Sequence, residues 1–289
     1  MSTPRPGVAA AKRLAVCTDT TTWLAVEAQY SAVETQPKLA GLATLREHYC
    51  ALGHTLQSAL AAAADGNRTN THQEEQEQQE QQHPLSITRD ELFLIVNWKF
   101  KVGKPRNALW KYLKANTAAS VKEHSAIAMQ HILYSRKHEN THGHWVFWGA
   151  SLKSALQALT QLQGVGPATA AAVVSLVAPN NFAYMYDEVL DCFAPKRTYT
   201  LPTYLSMNTT CHDIATILNN KNPTPRDWTP ARVARSLWIA ARANAYELHD
   251  HTVTAATATV KKKEKRATTM ETTTTTQMAA TKKKQRTTK

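Results

Sequence analysis

Between Leu162 and Leu176 the chain reads LQGVGPATAAAVVSL, with Gly164 and Gly166 one residue apart and Pro167 directly after them. Only nine glycines occur in 289 residues, so a pair set before a proline in the most apolar stretch calls for a backbone reason. A glycine just past a helix end tolerates positive φ. A proline at the first position of the next helix gives up an N–H that would have had no partner there. GVGP therefore reads as a tight turn joining two helices, with Val165 directed into the core. Such a turn leaves backbone amides bare at the positive end of a helix, a ready site for an anion such as a phosphodiester. An αα-corner whose glycines serve turn geometry alone fits the same pattern, and both readings stand at this point.

Cations gather elsewhere. Lys99, Lys101, Lys104, Arg106, Lys111 and Lys114 surround the break KVGKP, where they could neutralise phosphates or simply solvate a helix face. Arg232 and Arg235 lie three residues apart and face either DNA or solvent. His138, His142 and His144 invite a metal, but no acid or cysteine sits at a ligand spacing, so they read as loop histidines and no metal is expected. Trp145, Phe147 and Trp148 read as core. Cys17, Cys50, Cys192 and Cys211 form no close pair, which argues against a zinc ribbon or an iron–sulfur loop and for four buried thiols.

The elements that must position these groups are helical. Trp23, Val26, Tyr30 and Val33, then Leu42, Leu45, Tyr49 and Leu52, recur at three- and four-residue spacing. Residues 66–84 contain no apolar side chain and read as an insertion. Thr88 to Glu91 is a capping box ahead of Leu92, Val96 and Phe100. Ser120 to Glu123 predicts another, starting a helix with Ile127, His131 and Tyr134 inward. Leu152, Leu156 and Leu159 lead into the glycine turn. Beyond it, Ala194 to Met207 reads as irregular, followed by helices around Ile214, Ile217 and Leu218 and over Thr229–Leu248. No strand-like alternation appears, so the fold class is all-α, with about nine helices.

The net charge of +12 is unevenly placed. Residues 251–289 hold ten Lys/Arg against Glu264 and Glu271, a net +8, leaving only +4 for the rest. The expected organisation is a disordered N-terminus over 1–19, a helical domain over 20–250 with the 66–84 insertion, and a basic disordered tail over 251–289. Two basic clusters in that tail, KKKEKR and KKKQR, resemble a nuclear-import signal. The start, with Arg5, Lys12 and Arg13 and no acid before Asp19, also suits a mitochondrial address. No run approaches eighteen apolar residues, so no membrane span is expected. Nothing resembles a nucleotide-binding loop, and no cofactor is expected.

LQGVGPATAAAVVSL resembles the helix-hairpin-helix of the base-excision DNA glycosylases, the superfamily of endonuclease III, 8-oxoguanine glycosylase and the adenine glycosylase. A closer resemblance is to a eukaryotic glycosylase-like family that includes the Amun type. It is carried by Trp98-Lys99 with Gly103-Lys104 and Arg106, by Gly164 to Ala170, and by Asp187-Glu188. The resemblance implies a two-lobed helical fold in which helices before Gly164 and the returning Thr229–Leu248 helix flank a cleft. It implies that Gly164, Val165, Gly166 and Thr169 bind the DNA backbone, assisted by Lys99, Lys104 and Arg106. It places Asp187, 19 positions after Ala168, as the residue acting on the sugar. Tyr184 and Tyr186 would stack on an extruded base, although packed core aromatics explain them as well. Asp187 could equally cap the helix starting near Glu188. Bifunctional members carry a lysine in the hairpin as Schiff-base nucleophile. Here that position is Ala168, so a monofunctional N-glycosylase without lyase activity is expected, or a non-catalytic chromatin DNA- or protein-binding module retaining the fold.

Overall fold

In the computed structural model, which describes residues 6–65, 85–137, 144–221 and 227–243, the chain is all-α, with no strand among the described residues. The helices are α1 (Pro6–Ala15), α2 (Thr20–Glu27), α3 (Tyr30–Glu34), α4 (Leu42–Asp65), α5 (Arg89–Val102) and α6 (Trp110–Ala115). They continue with α7 (Ala118–Lys137), α8 (His144–Leu159), α9 (Pro167–Val177), α10 (Asp187–Phe193), α11 (Leu201–Lys221) and α12 (Pro230–Ala243).

The hub is α9. Every residue from Thr169 to Val177 is buried, and Ala170, Ala171 and Ala172 are 0% exposed. Helices α4, α5, α8 and α11 pack around it. Side chains this small let neighbouring backbones approach closely, and Tyr49 Oη on α4 reaches across to donate to the Ala172 carbonyl at 3.1 Å. A helix apolar on all sides is one that other helices enclose, which is why the pattern here is a continuous run rather than a stripe.

Several expectations need correction. Residues 1–19 are not simply a disordered end: α1 packs on α12 and α10, and its Ala11 and Leu14 are fully buried. The irregular stretch expected over Ala194–Met207 ends early, because α11 begins at Leu201. On α5 the Thr88 capping box forms as expected, with Thr88 Oγ1 accepting from Glu91 N–H and the Glu91 carboxylate accepting from Thr88 N–H. On α7 the start is earlier. Thr117 Oγ1 accepts from Ser120 N–H at 3.1 Å, and the buried face is Val121, Ser125, Ala128, Met129 and Ile132. Ile127 and Tyr134, expected inward, are exposed. Of the four cysteines only Cys211 is buried, and Cys50 is exposed. The segments 66–84 and 251–289, His138 and His142 lie outside the described residues. So do the side chains of His144, Trp145, Phe147 and Trp148, and so does the end of the expected Thr229–Leu248 helix beyond Ala243.

Candidate functional site

The hairpin forms between α8 and α9. Gly164 has φ +76°, the left-handed conformation that favours glycine. A Cβ added there would stand 3.2 Å from the Leu113 backbone nitrogen and side chain. Gly164 is thus required twice, by its dihedral and by the approach of α6. Gly166 is different: it is the N-cap of α9 with φ −95° and extended backbone, and an added Cβ would meet nothing within 4 Å. Its absent side chain leaves open space, where the anion reading needs it.

The turn is pinned from outside. The buried Asn116, just after α6, donates from Nδ2 to the Gln163 carbonyl at 2.9 Å and accepts from Gln163 N–H at 2.8 Å. Within the turn Val165 N–H donates to the Leu162 carbonyl, and Thr169 and Ala170 N–H share the Gly166 carbonyl. The N–H groups of Gly164, Gly166 and Ala168 are left without a backbone acceptor among the described residues. Val165 is buried, as expected.

In front of the turn lies a cavity of about 420 Å³, within the roughly 300–1,000 Å³ range of small-ligand sites. The whole Gly164–Thr169 stretch lines it. So do Lys99, Lys104 and Arg106 from α5 and the break after it, and Tyr184 and Asp187 from the segment following α9. Residues expected from three separated motifs therefore share one wall. Of the six cations only those three reach it; Lys104 and Arg106 are exposed at the rim, whereas Lys99 is half-buried. Burial, and secondarily the positive charge of Arg106, push the Lys99 ammonium down to about 8, against the opposing pull of Asp187.

Asp187 is the first residue of α10, so its backbone is helical and Tyr186 occupies the cap position without a side-chain cap bond. Its carboxylate instead accepts from Tyr199 Oη at 2.7 Å and from Arg197 Nη1 at 2.6 Å. Arg197 continues to Asp191 through Nε, 2.8 Å from Oδ1, and through Nη2 to Oδ2. Tyr199 lines the cavity and lies under the Arg106 guanidinium, 4.9 Å from its ring centre. Burial and the bond to Asp187 both raise the Tyr199 phenol, so it stays protonated as a donor. Arg197 and Tyr199 were not expected. They sit in a segment without helical or strand period, and the only available signal was a cation and a phenol placed 10 and 12 residues after Asp187.

Tyr184 and Tyr186 are packed aromatics. Their rings meet edge to face at 4.4 Å; Tyr184 lies 4.9 Å from Trp98, and Tyr186 lies 5.6 Å from Trp238. Tyr184 touches the cavity, but Tyr186 does not; it lines a separate hollow of about 340 Å³ beside Tyr49 and Arg235. Arg232 and Arg235 are committed to Glu27: Arg232 Nε bonds both its oxygens at 3.0 Å, and Arg235 Nη2 approaches at 3.4 Å. Among the described residues no cluster of three or more His, Cys, Asp or Glu could hold a metal ion, and no described helix is long and apolar enough to cross a membrane.

No family model matches the chain, and neither the curated proteins nor the solved structures provide a match.

Proposed function

We propose that the protein binds the DNA backbone through the Gly164–Gly166 hairpin and hydrolyses an N-glycosidic bond in the adjoining cavity, as a monofunctional glycosylase. The observation that carries this reading is the single cavity shared by bare turn amides, three cations and the Asp187 carboxylate. A phosphate at the α9 N-terminus would be held by backbone N–H groups and the positive helix end. Lys104 and Arg106 at the rim neutralise the flanking phosphates. A nucleotide turned out of the duplex places its sugar beside Asp187, whose negative charge stabilises the cationic sugar formed as the base departs. Tyr199 and Arg197 fix the carboxylate and prevent it from swinging away. Ala168 supplies no amine from the hairpin, so water is the nucleophile.

A second reading is favoured by one observation. Both oxygens of Asp187 are already engaged, by Arg197 and Tyr199, as they would be in a DNA- or protein-binding module of chromatin that has no chemistry to perform. Incubation with duplexes carrying uracil, oxidised or alkylated bases separates the two. Abasic product that disappears in Asp187→Asn supports the enzyme; no product on any substrate, with duplex binding intact, supports the binding module. The basic clusters of 251–289 favour a nuclear address over a mitochondrial one. So does the burial of α1, whose removal would strip Ala11 and Leu14 from the core.

A further inference from the structure

We propose that the hollow beside Tyr186 is a second binding site, for a free planar heteroaromatic anion the size of one mononucleotide. The proposal goes beyond the DNA reading and does not rest on it. The hollow is lined by neither Asp187 nor any residue of the glycine turn, and the Tyr184 side chain lines it on one side and the DNA cavity on the other. At about 340 Å³ it stands at the small end of the roughly 300–1,000 Å³ range of ligand sites, room for one small molecule and not for a strand.

Its walls come from α4, α5, α9 and α12, and Tyr30, Tyr49, Trp98, Tyr184 and Tyr186 all line it. Such flat surfaces favour a planar ring beyond the area it buries. Three of these side chains also carry a polar atom with no hydrogen bond among the described residues: Trp98 Nε1 and the hydroxyls of Tyr184 and Tyr186. All three are more than nine-tenths buried, at 5%, 7% and 7% exposure. Buried tyrosines nearby are satisfied: Tyr49 Oη donates to the Ala172 carbonyl at 3.1 Å, and Tyr204 Oη to the Ala183 carbonyl at 2.8 Å. Buried donors without acceptors are costly and rare in folded chains. Their gathering around one hollow marks a place where a bound molecule supplies the acceptors. A hydrocarbon ring offers none, whereas the ring nitrogens and oxygens of a heteroaromatic do.

Charge selects the rest of the ligand. Arg46 and Arg235 line the hollow, and no Asp or Glu does among the described residues. Their acids lie outside its wall: Glu34 accepts from Arg46 Nε at 2.7 Å, and Glu27 is approached by Arg235 Nη2 at 3.4 Å. Each guanidinium retains N–H donors beyond that contact. Both stand over the Tyr30 ring, 5.5 and 5.9 Å from its centre, so the two cations converge on one edge of the site. Aromatic walls joined to carboxylates would take a quaternary ammonium. Joined to two guanidiniums they take a phosphate or a carboxylate.

The test titrates the full chain calorimetrically with AMP and GMP as phosphate arms and with quinoline-2-carboxylate as the carboxylate arm. Adenosine, quinoline and ribose 5-phosphate, each carrying half of the recognised chemistry, serve as controls. At least one anion should bind with Kd below about 1 mM, and its halves at least about tenfold more weakly. Which anion binds identifies the source of the charge. Arg235→Gln should weaken that binding by about fivefold or more. Cys50 lines the hollow and is exposed. Saturating ligand should therefore slow its alkylation by iodoacetamide at least about threefold, read by peptide mapping on the native chain. Absence of binding by every anion overturns the proposal. So does ribose 5-phosphate binding as tightly as AMP, because the phosphate alone then suffices, as on any cationic surface. Unchanged affinity in Arg235→Gln overturns it as well. Bound ligand that leaves Cys50 alkylation unslowed also overturns it, a result that stands even if the variant fails to fold.

Discussion

Asn116 and Gln163, 47 residues apart, are joined by a reciprocal pair of hydrogen bonds: Asn116 Nδ2 donates to the Gln163 carbonyl at 2.9 Å, and Gln163 N–H donates to Asn116 Oδ1 at 2.8 Å. The residue that holds the hairpin turn thus lies outside it. Asn116 Nδ2 also donates to the Leu113 carbonyl at 3.0 Å, so one side chain ties the end of α6 to the approach of α9.

Replacing Asn116 by Ala should therefore cost more than an average polar deletion. It removes both part-buried hydrogen bonds to the Gln163 backbone, at about 0.5–1.5 kcal/mol each. Denaturant titration should show a lowered midpoint, and duplex binding should weaken as the turn loosens. An unchanged midpoint would mean that the turn holds its shape unaided.

The two glycines should respond differently. Gly164→Ala forces a side chain onto φ +76° and into Leu113, so it should destabilise the fold by about 1–3 kcal/mol. Gly166→Ala meets no neighbour and keeps an allowed backbone, so thermal unfolding should shift little. Equal stability loss at both positions would contradict this assignment.

Helix α1 should be needed for the fold. A Cβ at Gly7 would lie 1.9 Å from the Ala241 carbonyl oxygen of α12. Gly7→Val should push α1 off α12 and lower the unfolding temperature by several degrees, about what 1–2 kcal/mol produces in a domain of this size. A native-like unfolding temperature would show that α1 contributes little.

The stability of the fold should depend on pH through Lys99 in a defined direction. Burial and, secondarily, the charge of Arg106 push its ammonium down to about 8, with Asp187 opposing. Between about 8 and the unfolded value of about 10.4 the unfolded chain holds more protons at this site, so stability contributed by Lys99 increases with pH across that window. Denaturant midpoints of the native chain and of Lys99→Met, followed from about pH 7.5 to 10, check this: the rise should be weaker in Lys99→Met, and an identical pH dependence in both would contradict it.

Much of this arrangement was legible in the residues. The glycine pair and Pro167 marked the hairpin because their backbone requirements are local. The Ala170–Ala172 run announced a close-packed helix for the same reason. The Thr88 capping box was equally plain. The failures have physical causes too. On α7 the spacing of Ile127 and Tyr134 points to one face, whereas burial falls on another, made by Val121, Ser125, Ala128, Met129 and Ile132. Helix α1 is hard to read because its buried face, Val8, Ala10, Ala11 and Leu14, is mostly small and lies inside a basic, threonine-rich context. Arg197 and Tyr199 were invisible because a loop carries no period, and only the folded chain brings them to Asp187. That Lys99 is enclosed while Lys104 is not depends on how α5 ends against the hairpin, which spacing alone does not reveal.

The account stands on bare amides at the start of α9 meeting a phosphate, and Gly166 is the position that tests it without disturbing the fold. The full chain and its Gly166→Leu variant should be titrated by fluorescence anisotropy against the same duplex at the same salt, with unfolding temperatures measured in parallel. The leucine side chain enters the cavity over the Gly166 and Ala168 amides, so affinity should fall at least about tenfold, equivalent to about 1.4 kcal/mol, with unfolding nearly unchanged. A folded variant that binds duplex as tightly as the native chain would contradict the central claim.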